Sequence, residues 1–406
     1  MGQYTINIGD AANDGLGDTI RAGFEAVNAM FAELYGASKT ITLEFDDVTN
    51  PANIPVADVN SLSDWNAFLD FPNFGVPFTA VSVDGNSVTL TGRSGSILKD
   101  SLFRRNAHII SITDTGVFRY ISDFAFSNSA LITGTFNDVV YAGYYAFGDY
   151  DEGGSSLTEI TGAKFTTAGN NCFYGCTSLT STGSVTIAGF GCFAGCTSLT
   201  SIDNVTTAGE SCFAGCTSLT STGSVVTAGE YCFYGCTSLT STGSVTTAGE
   251  SCFNGCTSLT TTGSVTTAGN YCFNGCTSLT STGSVVTAGE YCFQGCTSLT
   301  SIDNVTTAGS NCFAGCTSLT STGSVTTAGD SCFAGCTSLI NIDLSNYIAP
   351  TIGNTTGEDN VFYGIAGNAV INLTVPSYLM TNNVGNPDGD IQYLIDNNTL
   401  VNITQV

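Results

Sequence analysis

The chain has 406 residues, a formal net charge of −25 and only 10% charged residues, against 42% hydrophobic ones. All eight basic residues lie within the first 164 positions, so the remainder has no cation to neutralise phosphate, which excludes nucleic-acid binding there and disfavours anionic membrane surfaces. The abundance of Gly, Ser and Thr would suit a disordered linker, but apolar residues recurring at a fixed interval point to repeat architecture instead.

Residues 1–36 open with neither the basic region nor the apolar core of a signal peptide. No segment supplies the roughly 20 apolar residues of a membrane-spanning helix. The expectation is a soluble protein, without membrane insertion, that folds in a reducing cytosol. A Gly- and Asp-rich loop runs to Asp18, a suitable helix N-cap. Ile20, Phe24, Val27, Phe31 and Leu34 then follow at alternating spacings of four and three, the pattern of a short a/d seam. So short a helix must pack on its own chain or on copies of itself.

The same stretch carries Asn7-Ile8-Gly9, Asn13-Asp14-Gly15-Leu16-Gly17-Asp18, Arg21, Phe24, Asn28 and Phe31-Ala32-Glu33-Leu34-Tyr35. It resembles a motif near the N-terminus of bacteriophage tail-fibre and other virion proteins. That resemblance implies an anchoring segment bound to other virion proteins, homotrimers, and a place in the virion after assembly in the host cytoplasm. The plainer reading is an amphipathic helix packed on its own domain.

Residues 37–120 read as a small α+β domain. Ser63-Asp64-Trp65-Asn66-Ala67-Phe68-Leu69 suits a short helix. Residues 80–90 suit a hairpin with Asp84-Gly85 near its turn. Residues 121–164 read as degenerate capping turns, with Phe124-Ala125-Phe126 and Tyr145-Ala146-Phe147 as their marks.

Residues 165–344 are nine consecutive 20-residue repeats. Each keeps an Ala-Gly step and a Cys-Phe-x-Gly-Cys-Thr-Ser-Leu run. Twenty residues cannot bury their own apolar face, but stacked turns make a continuous core of Leu, Phe, Val and Ala ladders. Thr-Ser-Leu-Thr-Ser and Val-x-x-Ala are the expected short strands, Gly marks corners of positive φ, and Thr and Ser hydroxyls can bond along the stack. The fold class is therefore mainly β, a solenoid of 20-residue turns. The run Cys192-Phe193-Ala194-Gly195-Cys196-Thr197-Ser198-Leu199-Thr200-Ser201-Ile202 resembles the leucine-rich repeats of the BspA, or Treponema pallidum, type. Two departures are visible: the family unit is usually a few residues longer, with an Ile-Pro step missing here, and its Ala before Phe is here a Cys.

All 18 cysteines occupy two positions of the repeat, as in Cys172 and Cys176, Cys232 and Cys236, Cys332 and Cys336. A disulfide ladder, metal ligation and buried free thiols compete. The flanking turns favour thiols as core filling. They place Ala125, Ala146, Val361 and Ile365 where the array has Cys, and these replace a core thiol but not a ligand or a cross-link. No metal and no cofactor is expected.

Three positions vary while their surroundings do not. They put Tyr174, Glu230, Tyr231, Tyr234, Tyr271, Asn274, Tyr291 and Gln294 on surface stripes, with Tyr concentrated in turns four to seven. Tyr beside amides and carboxylates suits recognition of a host-surface glycan or protein receptor. The bland alternative is that surface positions drift while core ladders cannot.

Residues 345–406 read as a C-terminal cap with a strand over 369–375, a helix over 388–397 and a last strand over 400–406. Asn386-Pro387-Asp388-Gly389-Asp390 lacks the spacing of a calcium loop and suits a turn and helix cap. With one histidine and no nucleophile or phosphate motif, no catalytic residues are assigned. The expected function is a non-catalytic virion tail-fibre or receptor-binding protein. The alternatives are a BspA-like bacterial surface adhesin and a purely structural virion spacer or decoration protein.

Overall fold

The structure is a computed structural model that describes residues 39–46, 55–56, 58–68, 80–92, 96–151, 155–346, 360–365, 370–380, 389–398 and 400–406. The seam expected at Ile20, Phe24, Val27, Phe31 and Leu34 lies outside these residues. The chain divides into two compact units, Met1–Phe147 with Ser155–Thr167, and Gly148–Gly154 with Ala168–Val406.

In the first unit, β1 (Lys39–Phe45), α1 (Leu62–Phe68), β2 (Ala80–Asp84) and β3 (Ser87–Gly92) supply the α+β part. The expected hairpin forms, with Gly85 at φ +57° and β2 paired antiparallel to β3. Trp65 on α1 is buried, and its indole N–H donates to the Val59 carbonyl at 2.8 Å. Pairing the indole donor is what allows so large a ring to be buried without leaving a polar group unsatisfied.

The remainder of this unit is more regular than the capping turns expected. β4 (Ser96–Leu98), β5 (Ile109–Asp114), β6 (Phe118–Ile121), β7 (Thr133–Phe136), β8 (Tyr141–Ala142) and β9 (Glu159–Thr161) alternate between two sheets. β4, β6 and β8 pair parallel in one; β5, β7 and β9 pair parallel in the other, which β1 joins to the hairpin. The segment therefore makes three coils, each a strand, a turn and a strand. The turns place Phe103, Phe126 and Phe147 in a stack with centroids 5.3 Å apart at both steps. The first of these coils falls within the region read as α+β. Its turn, Ser101-Leu102-Phe103-Arg104-Arg105, keeps only the Phe of the repeat signature.

In the array each 20-residue turn contributes one two-residue strand. These are β10 to β18, from Thr167–Ala168 and Ile187–Ala188 through every twentieth position to Thr327–Ala328. From Ile187–Ala188 onward they pair parallel in register, Ala on Ala and, after Ile187 on Thr207, Thr on Thr. The other expected strand, Thr-Ser-Leu-Thr-Ser, shrinks to single bridges such as Ser221 to Ser241. A 20-residue coil has fewer residues to spend on its second side than the longer coils of the first unit. Between strand and bridge, the Cys-Phe-x-Gly-Cys segment is a chain of turns bonded to the next coil, as where the Phe233 amide donates to the Cys252 carbonyl at 2.9 Å.

The core consists of ladders. Phe173 through Phe333 stack at centroid spacings of 5.0 to 5.5 Å, and Phe362 continues the row 5.9 Å from Phe333. The Leu, Val and Cys rows beside it are fully buried. Buried threonines form another ladder, in which the Thr222, Thr242 and Thr262 hydroxyls donate to the carbonyl of the following turn rather than to another hydroxyl. Thr242 Oγ1 to the Thr262 carbonyl, at 2.6 Å, is one such bond. The glycines divide into two kinds. Gly235 and Gly243 have positive φ, as expected at corners. The glycine of the Ala-Gly step does not; it is required by close approach, since a Cβ on Gly249 would lie 2.9 Å from the Glu230 nitrogen.

At the C-terminal end, β19 (Asn341–Asp343), β20 (Val370–Val375) and β21 (Leu400–Gln405) form a parallel sheet with α2 (Ser377–Met380) and α3 (Gly389–Asn397). Val361 and Ile365 are buried in the positions that hold Cys in the array.

Candidate recognition surface

The eighteen cysteines are buried and unbridged. From turn two onward the second cysteine of each turn donates its S–H to the phenylalanine carbonyl of the preceding turn, as Cys236 to Phe213 and Cys336 to Phe313, both at 3.2 Å. Burial pushes the Cys232 and Cys336 thiols up to about 12, so they stay protonated at neutral pH. Cys172, Cys176 and Cys332 lie in the same buried rows. Among the described residues no group of three or more His, Cys, Asp or Glu is placed to hold a metal ion. His108, the one histidine, pairs with Asp46 at 3.0 Å on the surface of the first unit. No helix among the described residues is long and apolar enough to cross a membrane.

The three variable positions are not equivalent. The first, carrying Glu230, Glu250 and Glu290, is largely exposed, and asparagine there acts on the backbone: Asn270 Oδ1 accepts from the Glu290 amide at 2.9 Å. The third carries exposed Tyr174 and Tyr234, half-buried Asn274 and Gln294, and buried Ala194 and Ala314.

The middle position is conformationally distinct. In all nine turns its φ is positive, from 52° to 56°. Asn171, Gly191 and Asn311 suit that left-handed region, and Ser211, Ser251 and Ser331 are small. Tyr231, Tyr271 and Tyr291 are neither, and a bulky residue there costs on the order of 1–2 kcal/mol. Ser251 and Ser331 are buried at this position, whereas Ser211 and the tyrosines remain half-exposed. The stripe is therefore a partly recessed track whose filling decides its relief.

The structure brings most of the expected residues together over turns four to seven. Tyr231 and Tyr234 are in contact, with centroids 6.1 Å apart, and the Tyr231 hydroxyl donates to Glu250 Oε1 at 3.4 Å. The Tyr271 and Tyr291 rings stack at 4.7 Å and 2°. Beside them Asn274 Nδ2 donates to Gln294 Oε1 at 2.8 Å. Partial desolvation, reinforced by Tyr291 and Glu290, raises the Tyr271 phenol above its ordinary value, so it is a neutral donor. Tyr174, in turn one, stands apart from this group.

A second exposed set, of one aliphatic and two aromatic side chains, is not visible in the sequence. Strand register places Ile97 beside Tyr120 and Tyr120 beside Tyr141, and all three side chains are exposed. Only the parallel pairing of β4, β6 and β8 brings these residues, more than twenty positions apart, onto one face.

The model of the BspA type leucine rich repeat region matches this chain in overlapping copies at residues 84–183, 166–280, 217–319 and 266–377. A leucine-rich repeat protein from Bacteroides ovatus, solved by crystallography, shares 23% identity over 80% of this chain and 90% of its own, with a TM-score of 0.50. The pneumococcal vaccine antigen PcpA aligns at 16% identity over 71% of this chain and 78% of its own, with a TM-score of 0.38. No curated protein matches. The matched residues cover well over half of the chain, with coils of the same kind in both units, and the chain belongs to the BspA type leucine-rich repeat family.

Proposed function

We propose that this is a non-catalytic recognition protein of the adhesin kind, whose repeats hold a variable tyrosine-rich track toward a host-surface glycan or protein. One observation carries the reading. Six turns fill the left-handed position with Asn, Gly or Ser, yet three fill it with Tyr, at a cost in backbone strain that the fold does not require. Strain retained where packing offers cheaper residues points to selection for what the side chain does outward. The BspA resemblance supports the adhesin reading over a purely structural spacer. The test is competition: purified protein at saturating concentration is expected to block attachment of the particle or cell that carries it. Unblocked attachment favours a spacer.

The motif in residues 6–35 supports a second reading of where the protein sits. The family match begins at residue 84, so this reading rests on that motif alone. In it the N-terminal segment attaches the repeats to other virion proteins and trimerises through the Ile20 to Leu34 seam. A trimer by mass measurement in solution, reduced to monomer by Phe24→Asp with Phe31→Asp, supports it. A monomeric full-length chain counts against it.

A further inference from the structure

The tyrosine track is interrupted at one place. Tyr291 covers one face of the Tyr271 ring, so the opposite face looks toward turn five. There the equivalent residue is Ser251, small and buried. Beyond it stands Tyr231 of turn four. Phe233, Phe253 and Phe273 mark the spacing of these turns as 5.4 Å per step. Two such steps leave about 11 Å between the backbone positions of Tyr231 and Tyr271, with carbon contact distances of about 3.5–4 Å at each ring face. Glu250, held by the Tyr231 hydroxyl, and half-buried Asn254 edge this gap.

We propose that the gap over Ser251 is a saccharide subsite that takes one neutral pyranose ring against the uncovered face of Tyr271. The inference rests on the reading of the track as the recognition surface. A pyranose presents a face of C–H groups to an aromatic ring and a rim of hydroxyls to polar neighbours, and the gap offers both surfaces. A carboxylate accepts hydroxyl protons, while an amide both donates and accepts. The two-turn spacing leaves room for one chair-shaped ring laid on the Tyr271 face. The charge selects a neutral sugar. Glu230 and Glu250 stand beside the gap and the array has no basic residue, so sialic acids and phosphorylated sugars are repelled.

Ser251→Tyr provides the test, because it fills the gap with a residue that the same backbone position accepts in three other turns. The full chain is titrated with the methyl pyranosides of glucose, galactose, mannose and N-acetylglucosamine, read by saturation-transfer NMR and tyrosine fluorescence, with sialic acid as the charged comparison. At least one neutral pyranoside is expected to bind. Ser251→Tyr is expected to weaken it at least tenfold while the chain stays folded with at most a small drop in melting temperature, and sialic acid is expected not to bind. Equal binding by Ser251→Tyr overturns the subsite. So does failure of all four neutral sugars while attachment to the target surface still depends on the tyrosines, an outcome that leaves the recognition surface standing with a protein ligand. Attachment indifferent to Tyr231, Tyr271 and Tyr291 removes the recognition surface itself, and the subsite with it.

Discussion

Tyr271 and Tyr291 lie one turn apart with their rings parallel to within 2° and 4.7 Å between centroids, and both sit on left-handed backbone. The stack returns part of what the backbone costs, since a stacked aromatic pair is worth about 0.5–1.5 kcal/mol. Tyr231 lacks such a parallel partner; it leans on Tyr234 and makes one long hydrogen bond, 3.4 Å, to Glu250. Tyr231→Asn is therefore expected to raise stability by up to about 1 kcal/mol, whereas Tyr271→Asn is expected to be near neutral. Denaturant titration of the two variants checks the difference, and a loss of more than about 1 kcal/mol in Tyr231→Asn would contradict it.

The cysteine rows behave as core. Native protein is expected to resist alkylation at neutral pH, because burial raises these thiols and excludes the reagent. Denaturation without reductant is expected to release all eighteen thiols, counted by mass after labelling. Substantially fewer would indicate disulfides.

Truncations in the core should differ by row. Phe253→Ala breaks a stack with neighbours on both sides and is expected to cost about 3–5 kcal/mol. Cys252→Ala is expected to cost only about 1–2 kcal/mol, since Ala125 and Ala146 fill equivalent buried positions. Equal losses in thermal or denaturant unfolding would show that the two rows do not divide the work in this way.

Two glycines separate conformation from space. Gly235 has φ +68° and nothing within 4 Å of an added Cβ, so Gly235→Ala is expected to cost about 1 kcal/mol of backbone strain. Gly249 has no such φ, but its Cβ would meet backbone of the preceding turn at 2.9 Å. Gly249→Ala is therefore expected to destabilise more, despite the more permissive dihedral. A reversed order in melting temperature would refute the close-approach explanation.

Asp114 links pH to the stability of the first unit. It is buried and accepts hydrogen bonds from the Gly116, Val117 and Phe118 amides at 2.9, 2.6 and 3.2 Å. Desolvation outweighs those bonds and pushes the carboxyl from 3.8 up to about 6, with repulsion from Asp138 adding to the rise. The folded state thus holds the proton more tightly than the unfolded chain does. The associated stability is complete below the ordinary carboxylate value and is lost as pH rises through about 6, amounting to roughly 2–3 kcal/mol. Asp114→Asn is expected to flatten this part of the profile. An unchanged profile in that variant would assign the dependence to other groups.

Much of the fold is legible in the sequence because the array repeats its core residues without error: Phe, Leu and Cys recur every twenty positions and stack where the period puts them. The coil at Ser101 is hidden because Leu102, Arg104 and Arg105 replace the signature and leave Phe103 alone. The left-handed track is half legible. Asn171, Gly191 and Asn311 are the residues such a backbone prefers, but tyrosines in the same column conceal the preference. The Ile97, Tyr120 and Tyr141 face depends on strand register between distant segments, which no local pattern specifies.

The most direct measurement compares the full chain with a variant in which Tyr231, Tyr271 and Tyr291 are all replaced by Asn, a residue that the same position carries at Asn171 and Asn311. Binding to the target surface and thermal stability are followed together. If the tyrosines serve recognition, binding is lost while the melting temperature is held or rises. Binding retained at full strength by the folded variant would contradict that role.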